Sequence, residues 1–272
     1  MQWYKRFGYE KNPFELNPLK APYTVIHNKE LIADLLYLVR VGSMVVVEGA
    51  QGSGKTTLLT RVINLFKGEG KAVYIDGNKI PDELDIEDVL NKKGRGIIRG
   101  LFNDKPKGMI LLLDNVHSIS SRNCEKIKYY FDQNYIRSVV FTTETYSKLK
   151  LDRSIHDRIM GQVIQIAPYS KFDVLRVVRD RFLDDDFLGD DMILSIARIS
   201  DHNVKDALAN TSKLCEHVTK EGRGEVLPKY LPLINKKPTR KVKRTVTLRS
   251  VPKQSNASLR LAASAKEQKV NA

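Results

Sequence analysis

Eight consecutive residues, from Gly49 to Thr56, combine the side chains needed to hold the phosphates of a nucleotide. Glycines at 49, 52 and 54 allow the backbone N–H groups to turn toward an anion, and the start of a following helix attracts the same charge. Lys55 would reach the β and γ phosphates, and the Thr56 hydroxyl would bind magnesium. The pattern predicts a loop for ATP and Mg²⁺, formed by Gly49, Ala50, Gln51, Gly52, Ser53, Gly54, Lys55, Thr56 and the following Thr57.

Asp114 ends an apolar run, where a carboxylate that orders the metal ion is required in folds with such a loop. The next position often holds a glutamate that orients and deprotonates the attacking water. In this chain it is Asn115. An amide can hold a water by hydrogen bonds but cannot accept its proton, so we expect slow hydrolysis, or hydrolysis that relies on another group.

Five further residues are candidates for contacts with the γ phosphate, with the water or with the nucleotide of a neighbouring subunit. Thr142 and Thr143 end an apolar run, although threonine is also a common strand residue. Arg158 is a candidate finger that reaches the nucleotide of a neighbouring subunit, with Arg153 as its competitor and a surface salt bridge as the alternative for either. Lys205 opens a helical stretch and could contact the γ phosphate from above, or could be a solvated helix charge.

These residues are spaced along alternating strand and helix patterns. Continuous apolar runs typical of buried parallel strands alternate with segments of helical periodicity, which predicts an α/β fold with a parallel sheet covered on both faces. The five predicted strands are Met44–Val47, Ala72–Asp76, Met109–Asp114, Ser138–Thr143 and Val163–Ile166, and a charged helical stretch is predicted from Asp85 to Leu101.

Beyond Pro168 the pattern is helical throughout, with apolar stripes in Lys171–Phe182, Asp190–Ile199 and Val204–Val218. We therefore predict a small helical lid after the sheet. The predicted organisation is an N-terminal extension at 1–23, a P-loop core at 24–168, the lid at 169–222 and a basic, flexible tail at 223–272.

Composition limits the remaining possibilities. No apolar run approaches the roughly 18 residues needed to span a bilayer, and the N-terminus lacks the features of a secretory signal. We therefore expect a cytoplasmic protein without a transmembrane segment. The two cysteines, Cys124 and Cys215, are far apart and without the spacing of a metal site, which predicts two reduced thiols.

The net charge of +14 is unevenly distributed. Residues 235–272 carry eleven Lys or Arg against the single acid Glu267, so this segment holds +10 of the total. Such a segment would bind phosphate backbones by counterion release, without sequence preference and with strong salt sensitivity. DNA is therefore a candidate partner, and the alternatives are a solubilising tail or a weakly acidic partner.

The order of loop, Asp-ended strand, Thr-ended strand, arginine and helical lid resembles an AAA+ ATPase over about residues 10–220. The chain is most similar to the branch that holds ExeA-type ATPases, TnsC-type transposition regulators and archaeal origin-recognition initiators. Three segments carry this resemblance: Phe7-Gly8-Tyr9-Glu10-Lys11-Asn12-Pro13-Phe14, Asp114-Asn115-Val116-His117, and Asp157-Arg158-Ile159 through Ala167-Pro168-Tyr169-Ser170.

The resemblance implies nucleotide and magnesium at Lys55 and Thr56, magnesium at Asp114, a first sensor at Thr142 or Thr143, a finger at Arg158 and a second sensor at Lys205. The chain departs from the pattern at Asn115, and at Lys205, where arginine is more usual. The segment after the lid is too short and too polar for the winged-helix DNA reader of the initiators, so we do not expect site-specific origin recognition.

Three hypotheses for function remain open at this stage. The first is an ATP-dependent, oligomerising switch that acts on DNA and hydrolyses ATP slowly. The second is a nucleotide-dependent scaffold or motor for a protein partner, of the kind found in secretion or envelope machinery. The third is a pseudo-ATPase that keeps its nucleotide as a structural element.

Overall fold

The computed structural model describes residues 2–20, 29–66, 71–80, 86, 88–90 and 107–234. Its centre is a five-stranded parallel sheet in the order β2-β3-β4-β1-β5. The strands are β1 (Met44–Glu48), β2 (Ala72–Asp76), β3 (Met109–Asp114), β4 (Ile136–Thr143) and β5 (Val163–Gln165). The α/β class and the five parallel strands predicted from the sequence are confirmed, with shifts of one or two residues at some strand ends.

Helices cover both faces of the sheet because the central strands are apolar at nearly every residue, so that both faces carry side chains to be buried. On one face, α1 (Lys29–Val41) and α2 (Lys55–Phe66) pack against strand residues that include Val47, Leu112 and Val140. On the other face, α3 (Ser121–Asp132) and α4 (Arg153–Ile159) pack against residues that include Val46, Leu113 and Phe141. Of the predicted helix 85–101, the described residues 86 and 88–90 are helical and the rest lies outside the described part.

A separate apolar core holds the helices that follow the sheet. These are α5 (Lys171–Arg179), α6 (Asp190–Ile199) and α7 (Val204–Lys220). The start of α5 is fixed by a capping box, in which Ser170 and Asp173 satisfy each other's backbone N–H groups. The helix ends at Arg179, three residues before the predicted end, and Phe182 then turns into the core of this helical part.

The N-terminal segment packs on this helical part. Trp3 and Phe14 stack with ring centroids 5.7 Å apart, and both contact Phe182. Asn12 donates a hydrogen bond from its side-chain amide to the Ser212 hydroxyl of α7 at 3.2 Å. The motif that resembles the AAA+ branch thus attaches the start of the chain to its helical part.

The structure continues past the boundary predicted at residue 222. A 3₁₀ helix spans Pro228–Leu233, and Val226, Tyr230 and Ile234 are buried in the core of the helical part. The basic segment 235–272 lies outside the described residues. Cys124 and Cys215 are both free and buried, and no helix in the described ranges is long and apolar enough to cross a membrane.

Candidate nucleotide-binding cleft

The glycine-rich loop connects the end of β1 to the first residue of α2, as the sequence predicts. The ammonium of Lys55 is buried inside this loop, where it donates hydrogen bonds to the carbonyl oxygens of Gly49 at 2.7 Å and Ala50 at 3.0 Å. Burial lowers the pKa of Lys55, and the charges of Glu144 and Asp114 oppose that shift. An incoming phosphate would supply anionic oxygens to a cation that the loop already holds in place.

Asp114 lies at the end of β3 and is completely buried. Four donors point at its two oxygens. Oδ2 accepts from the Thr56 hydroxyl at 2.6 Å and the Tyr74 hydroxyl at 2.9 Å, and Oδ1 accepts from the Asn115 N–H at 3.1 Å and from the Thr142 hydroxyl. These bonds fix the orientation of the carboxylate beside Thr56.

This donor set fits a magnesium ion. Mg²⁺ prefers hard oxygen ligands, and it is commonly held through one or two carboxylates together with substrate phosphates. A buried carboxylate bonded directly to the hydroxyl at the start of α2, next to a lysine held for phosphate, meets that requirement. Thr56 and Asp114 are therefore the residues that would hold the ion.

A cleft of about 440 Å³ opens above the loop. Its polar lining residues include Lys55, Thr56, Asn115 and Glu144, and its apolar lining includes Leu16, Pro18, Tyr169, Val177, Val204 and Leu208. Burial raises the pKa of the Tyr169 hydroxyl. The combination of apolar lining residues and a phosphate-binding loop is suited to a nucleotide whose base packs on apolar side chains of the N-terminal segment and the helical part.

The helical part touches the loop directly through Asn203, which caps the start of α7. Its side-chain amide donates to the Gln51 carbonyl oxygen at 2.7 Å, while its side-chain oxygen accepts from the Asp206 N–H at 3.1 Å. Gly52 makes room for this contact, because a Cβ atom there would lie 2.2 Å from the Asn203 oxygen. Gly52 also has a φ of +79°, which side-chain-bearing residues rarely adopt.

Most of the predicted binding residues converge on the cleft. Seven of them line it, namely Gln51, Gly52, Gly54, Lys55, Thr56, Thr57 and Lys205. Gly49 and Ala50 do not line the cleft, but their carbonyl oxygens accept hydrogen bonds from the Lys55 ammonium. Ser53 is buried in the loop. Asn115 lines the cleft with a left-handed φ of +55°.

The two threonines at the end of β4 do not line the cleft. Both are buried, and the Thr142 hydroxyl is engaged with Asp114 and with the Asn115 N–H. The next residue, Glu144, is exposed to the cleft instead. Glu144 is not among the residues predicted from the sequence, because three consecutive polar residues do not reveal which of them faces the loop.

The two candidate finger arginines lie away from the cleft lining. Arg158 is held by Asp132 of α3, with Nε 2.9 Å from Oδ1 and Nη2 2.6 Å from Oδ2, and it also donates to the Ser154 carbonyl oxygen. Arg153 has a side chain 94% exposed and approaches Asp157 at 4.0 Å. The guanidinium of Arg158 is thus engaged within this chain, and that of Arg153 faces solvent.

Three further residues at the site were not predicted from the sequence: Tyr74, Arg181 and Asn203. Tyr74 belongs to a strand whose pattern indicates core packing, and Arg181 lies in a loop where its approach to the cleft depends on the helical part. Asn203 could have been predicted as a helix cap, because asparagine is common at the position immediately before a helix.

Comparison with known proteins agrees with this geometry. The family model described as AAA domain matches residues 42–172, which run from just before β1 into the start of α5. This range is similar to an AAA domain. The similarity implies binding of a nucleotide together with a divalent metal ion. The loop, Asp114 and all strands of the described sheet fall inside the matched range.

Relatives of the chain include archaeal replication proteins. The "ORC1-type DNA replication protein 2" of Saccharolobus solfataricus is 22% identical, and the match covers 80% of this chain and 64% of that protein. The chain therefore spans less than two thirds of this curated relative.

Two solved structures share the fold, both with low sequence identity. Cdc6p from Pyrobaculum aerophilum superimposes with a TM-score of 0.68 at 18% identity, covering 83% of this chain and 70% of that one. The Aeropyrum pernix ORC1 protein, solved in complex with DNA, gives a TM-score of 0.63 at 14% identity and covers 82% and 68%. Their coverage extends the likeness beyond the AAA domain into neighbouring parts of this chain.

Proposed function

We propose that this protein binds ATP with Mg²⁺ in the cleft, and that the bound nucleotide switches its action on DNA. The observation that carries the proposal is the placement of Lys55 and Thr56 in the lining of a cleft that also has apolar side chains, with Asp114 bonded to the Thr56 hydroxyl. The loop and the Asp114 cluster would hold phosphates and metal. The helical part, acting as a lid over 169–222, would close on the base.

DNA as the target rests on two supports. Residues 235–272 hold +10 of the +14 net charge, and charge of that density favours phosphate backbones. The relative from Saccharolobus solfataricus is named as a DNA replication protein, and the Aeropyrum pernix relative was solved with DNA. Nucleotide-dependent oligomerisation through Arg158 or Arg153, with slow hydrolysis, completes the proposed switch.

The deciding experiment measures ATP hydrolysis by the purified protein with and without double-stranded DNA, together with particle mass in each nucleotide state. Stimulation by DNA that disappears in Lys55→Ala is the expected result. Nucleotide binding without turnover in either condition would replace the slow ATPase with a non-hydrolysing switch. A wild-type protein that fails to bind ATP would contradict the proposal.

The tail is tested by deleting residues 236–272. We expect weaker DNA binding and a smaller decrease of affinity with added salt, because fewer counterions are released. Unchanged DNA affinity would remove the tail from the proposal. Salt-resistant copurification with a protein, in material free of nucleic acid without nuclease treatment, would favour the rival function of a scaffold or motor for a protein partner.

A further inference from the structure

The carboxyl end of β4 lies between the two segments that a γ phosphate would approach. β4 pairs with β1 on one side and with β3 on the other. The Thr143 carbonyl oxygen accepts the N–H of Gly49, the first loop residue, at 3.1 Å, and the Thr142 carbonyl oxygen accepts the N–H of Val116 at 2.8 Å. The residue that follows Thr143 therefore leaves the sheet between the loop and Asn115.

Strand alternation places the Glu144 side chain on the face of the sheet that carries the phosphate loop. Val140 packs in the cluster formed with α2, and Thr142 bonds Asp114 on that same face. Side chains two residues apart in a strand share a face, so Glu144 is directed to the same side just past the strand end. The lining of the cleft includes Glu144 together with Lys55 and Thr56.

The carboxylate of Glu144 is available. Among the described residues, Glu144 makes no hydrogen bond or ion pair. The charges of Glu144 and Asp114 both raise the pKa of Lys55, and Glu144 has the larger effect. Lys55 in turn offers a nearby positive charge, which offsets part of the repulsion between a carboxylate and a phosphate. The cleft thus contains a free acceptor for a proton.

Asn115 cannot fill that role. Its side chain is an amide, which lacks basicity, and its backbone N–H is already shared between Asp114 and Thr142. The position where a glutamate commonly acts in this superfamily is therefore without a base, while the neighbouring strand supplies a carboxylate one residue beyond its end.

We infer that Glu144 is the general base for ATP hydrolysis, an assignment that rests on the proposed function. Glu144 accepts a proton from a water as the water oxygen forms a bond to the γ phosphorus. The bond from the γ phosphorus to the bridging oxygen breaks, and its electron pair leaves with ADP. Inorganic phosphate is the second product, and the proton on Glu144 passes to solvent or phosphate.

The lining of the cleft also includes His117, whose imidazole is a second side chain able to accept a proton. The His117 carbonyl oxygen accepts the Lys150 N–H at 3.1 Å. Variants of both residues separate the two assignments.

The test compares Glu144→Gln and His117→Asn with the wild type, using Glu125→Gln on the exposed surface of α3 as the matched charge control. Three quantities are measured: the dissociation constant of Mg²⁺-ATP, the single-turnover hydrolysis rate, and the fraction of bound nucleotide that is ATP after incubation. For Glu144→Gln we expect hydrolysis to fall about 100- to 10,000-fold, with ATP affinity unchanged or tighter because a negative charge is removed. The variant should retain ATP where the wild type holds ADP.

Rescue provides the second readout. Introducing Asn115→Glu into Glu144→Gln returns a carboxylate to the neighbouring strand end, and we expect it to restore part of the lost rate. Wild-type hydrolysis in Glu144→Gln, loss of hydrolysis in His117→Asn alone, or parallel loss of ATP binding and hydrolysis in Glu144→Gln would each overturn the assignment. If one of these outcomes is found while the wild-type protein binds and hydrolyses ATP, only the role of Glu144 is overturned and the proposed function is retained.

Discussion

At the scale of single residues, Asp114 is oriented before any ligand arrives. Hydroxyls from two strands and one helix bond to its carboxylate, so its position does not depend on a metal ion. Burial and the Asp114 charge raise the pKa of Tyr74, which therefore stays a donor throughout the range in which proteins are usually handled. Preorganisation of this kind lowers the reorganisation needed when phosphate and metal bind.

We predict that Tyr74→Phe lowers the free energy of unfolding by about 1.5–3 kcal/mol, the range for a hydrogen bond to a charged group. ATP affinity should weaken in magnesium and change less in its absence, because the lost bond positions the carboxylate that would hold the metal. Denaturant unfolding and nucleotide titration measure the two effects. Tyr37→Phe is the matched control, because Tyr37 is 64% exposed. Equal loss of affinity with and without magnesium would contradict the role.

The loop, Lys55, Thr56 and Asp114 could be predicted because their chemistry is encoded in short contiguous motifs. Glu144 and Thr142 could not be assigned in the same way. Their roles depend on where β4 ends and on which face each residue lies, and a difference of one residue exchanges the faces. Asn203 reaches the loop, and Arg181 reaches the cleft, through the packing of the helical part, which local sequence does not determine.

At the scale of elements, the N-terminal segment belongs to the helical part and also borders the cleft. Phe14 is buried at 1% exposure, and Leu16 and Pro18 follow it into the lining of the cleft. The sequence located five strands and three later helices because periodicity reports burial on a face. Residues 1–23 were predicted only as an extension, because a short aromatic-rich segment has no periodic pattern that would show which surface it packs against.

We predict that Phe14→Ala lowers the free energy of unfolding by about 3–5 kcal/mol, as expected for truncation of a buried aromatic ring. ATP affinity should weaken as well, since Leu16 and Pro18 lose their anchor. Leu183→Ala, at a residue 76% exposed in the same part of the molecule, controls for a general effect of truncation. Unfolding that is unchanged in Phe14→Ala would mean that the segment is not held as described.

The contact between the loop and α7 leads to a second prediction at this scale. Gly52→Ala places a methyl group against Asn203 at a backbone conformation that alanine adopts with strain of about 1–3 kcal/mol. We expect lower stability and weaker ATP binding, because the strain is relieved by moving the loop away from α7. Gly189→Ala is the matched control, since a Cβ there meets nothing within 4 Å. Equal ATP affinity in both variants would show that this contact is not required.

At the scale of the whole molecule, the two candidate finger arginines differ in availability. A guanidinium that bonds both oxygens of Asp132 has to give up those bonds before it can serve a neighbouring subunit. The Arg153 side chain is 94% exposed, and its ion pair with Asp157 is long, at 4.0 Å. The geometry therefore favours Arg153 as the group that could reach across an interface, with Arg158 as the residue that fixes α4 to α3.

We predict that Arg153→Ala reduces ATP hydrolysis only at protein concentrations where oligomers form, with unchanged ATP affinity of the monomer. Arg158→Ala should instead lower the free energy of unfolding by about 0.2–1 kcal/mol, the range for partly exposed ion pairs. Hydrolysis measured across a concentration series, beside particle mass, distinguishes the two. The reverse pattern would assign the finger to Arg158, as the sequence motif suggested.

Trp3 is the sole tryptophan of the chain, and its indole is buried against Phe14 and Phe182 in the helical part. Intrinsic fluorescence excited at the indole therefore reports on that half of the molecule alone, whereas circular dichroism reports on the helices of both halves. Coincident transitions by the two signals would indicate a single cooperative unit. An earlier fluorescence transition would mean that the helical part melts while the sheet persists, so Trp3 is an optical probe of unfolding in that part.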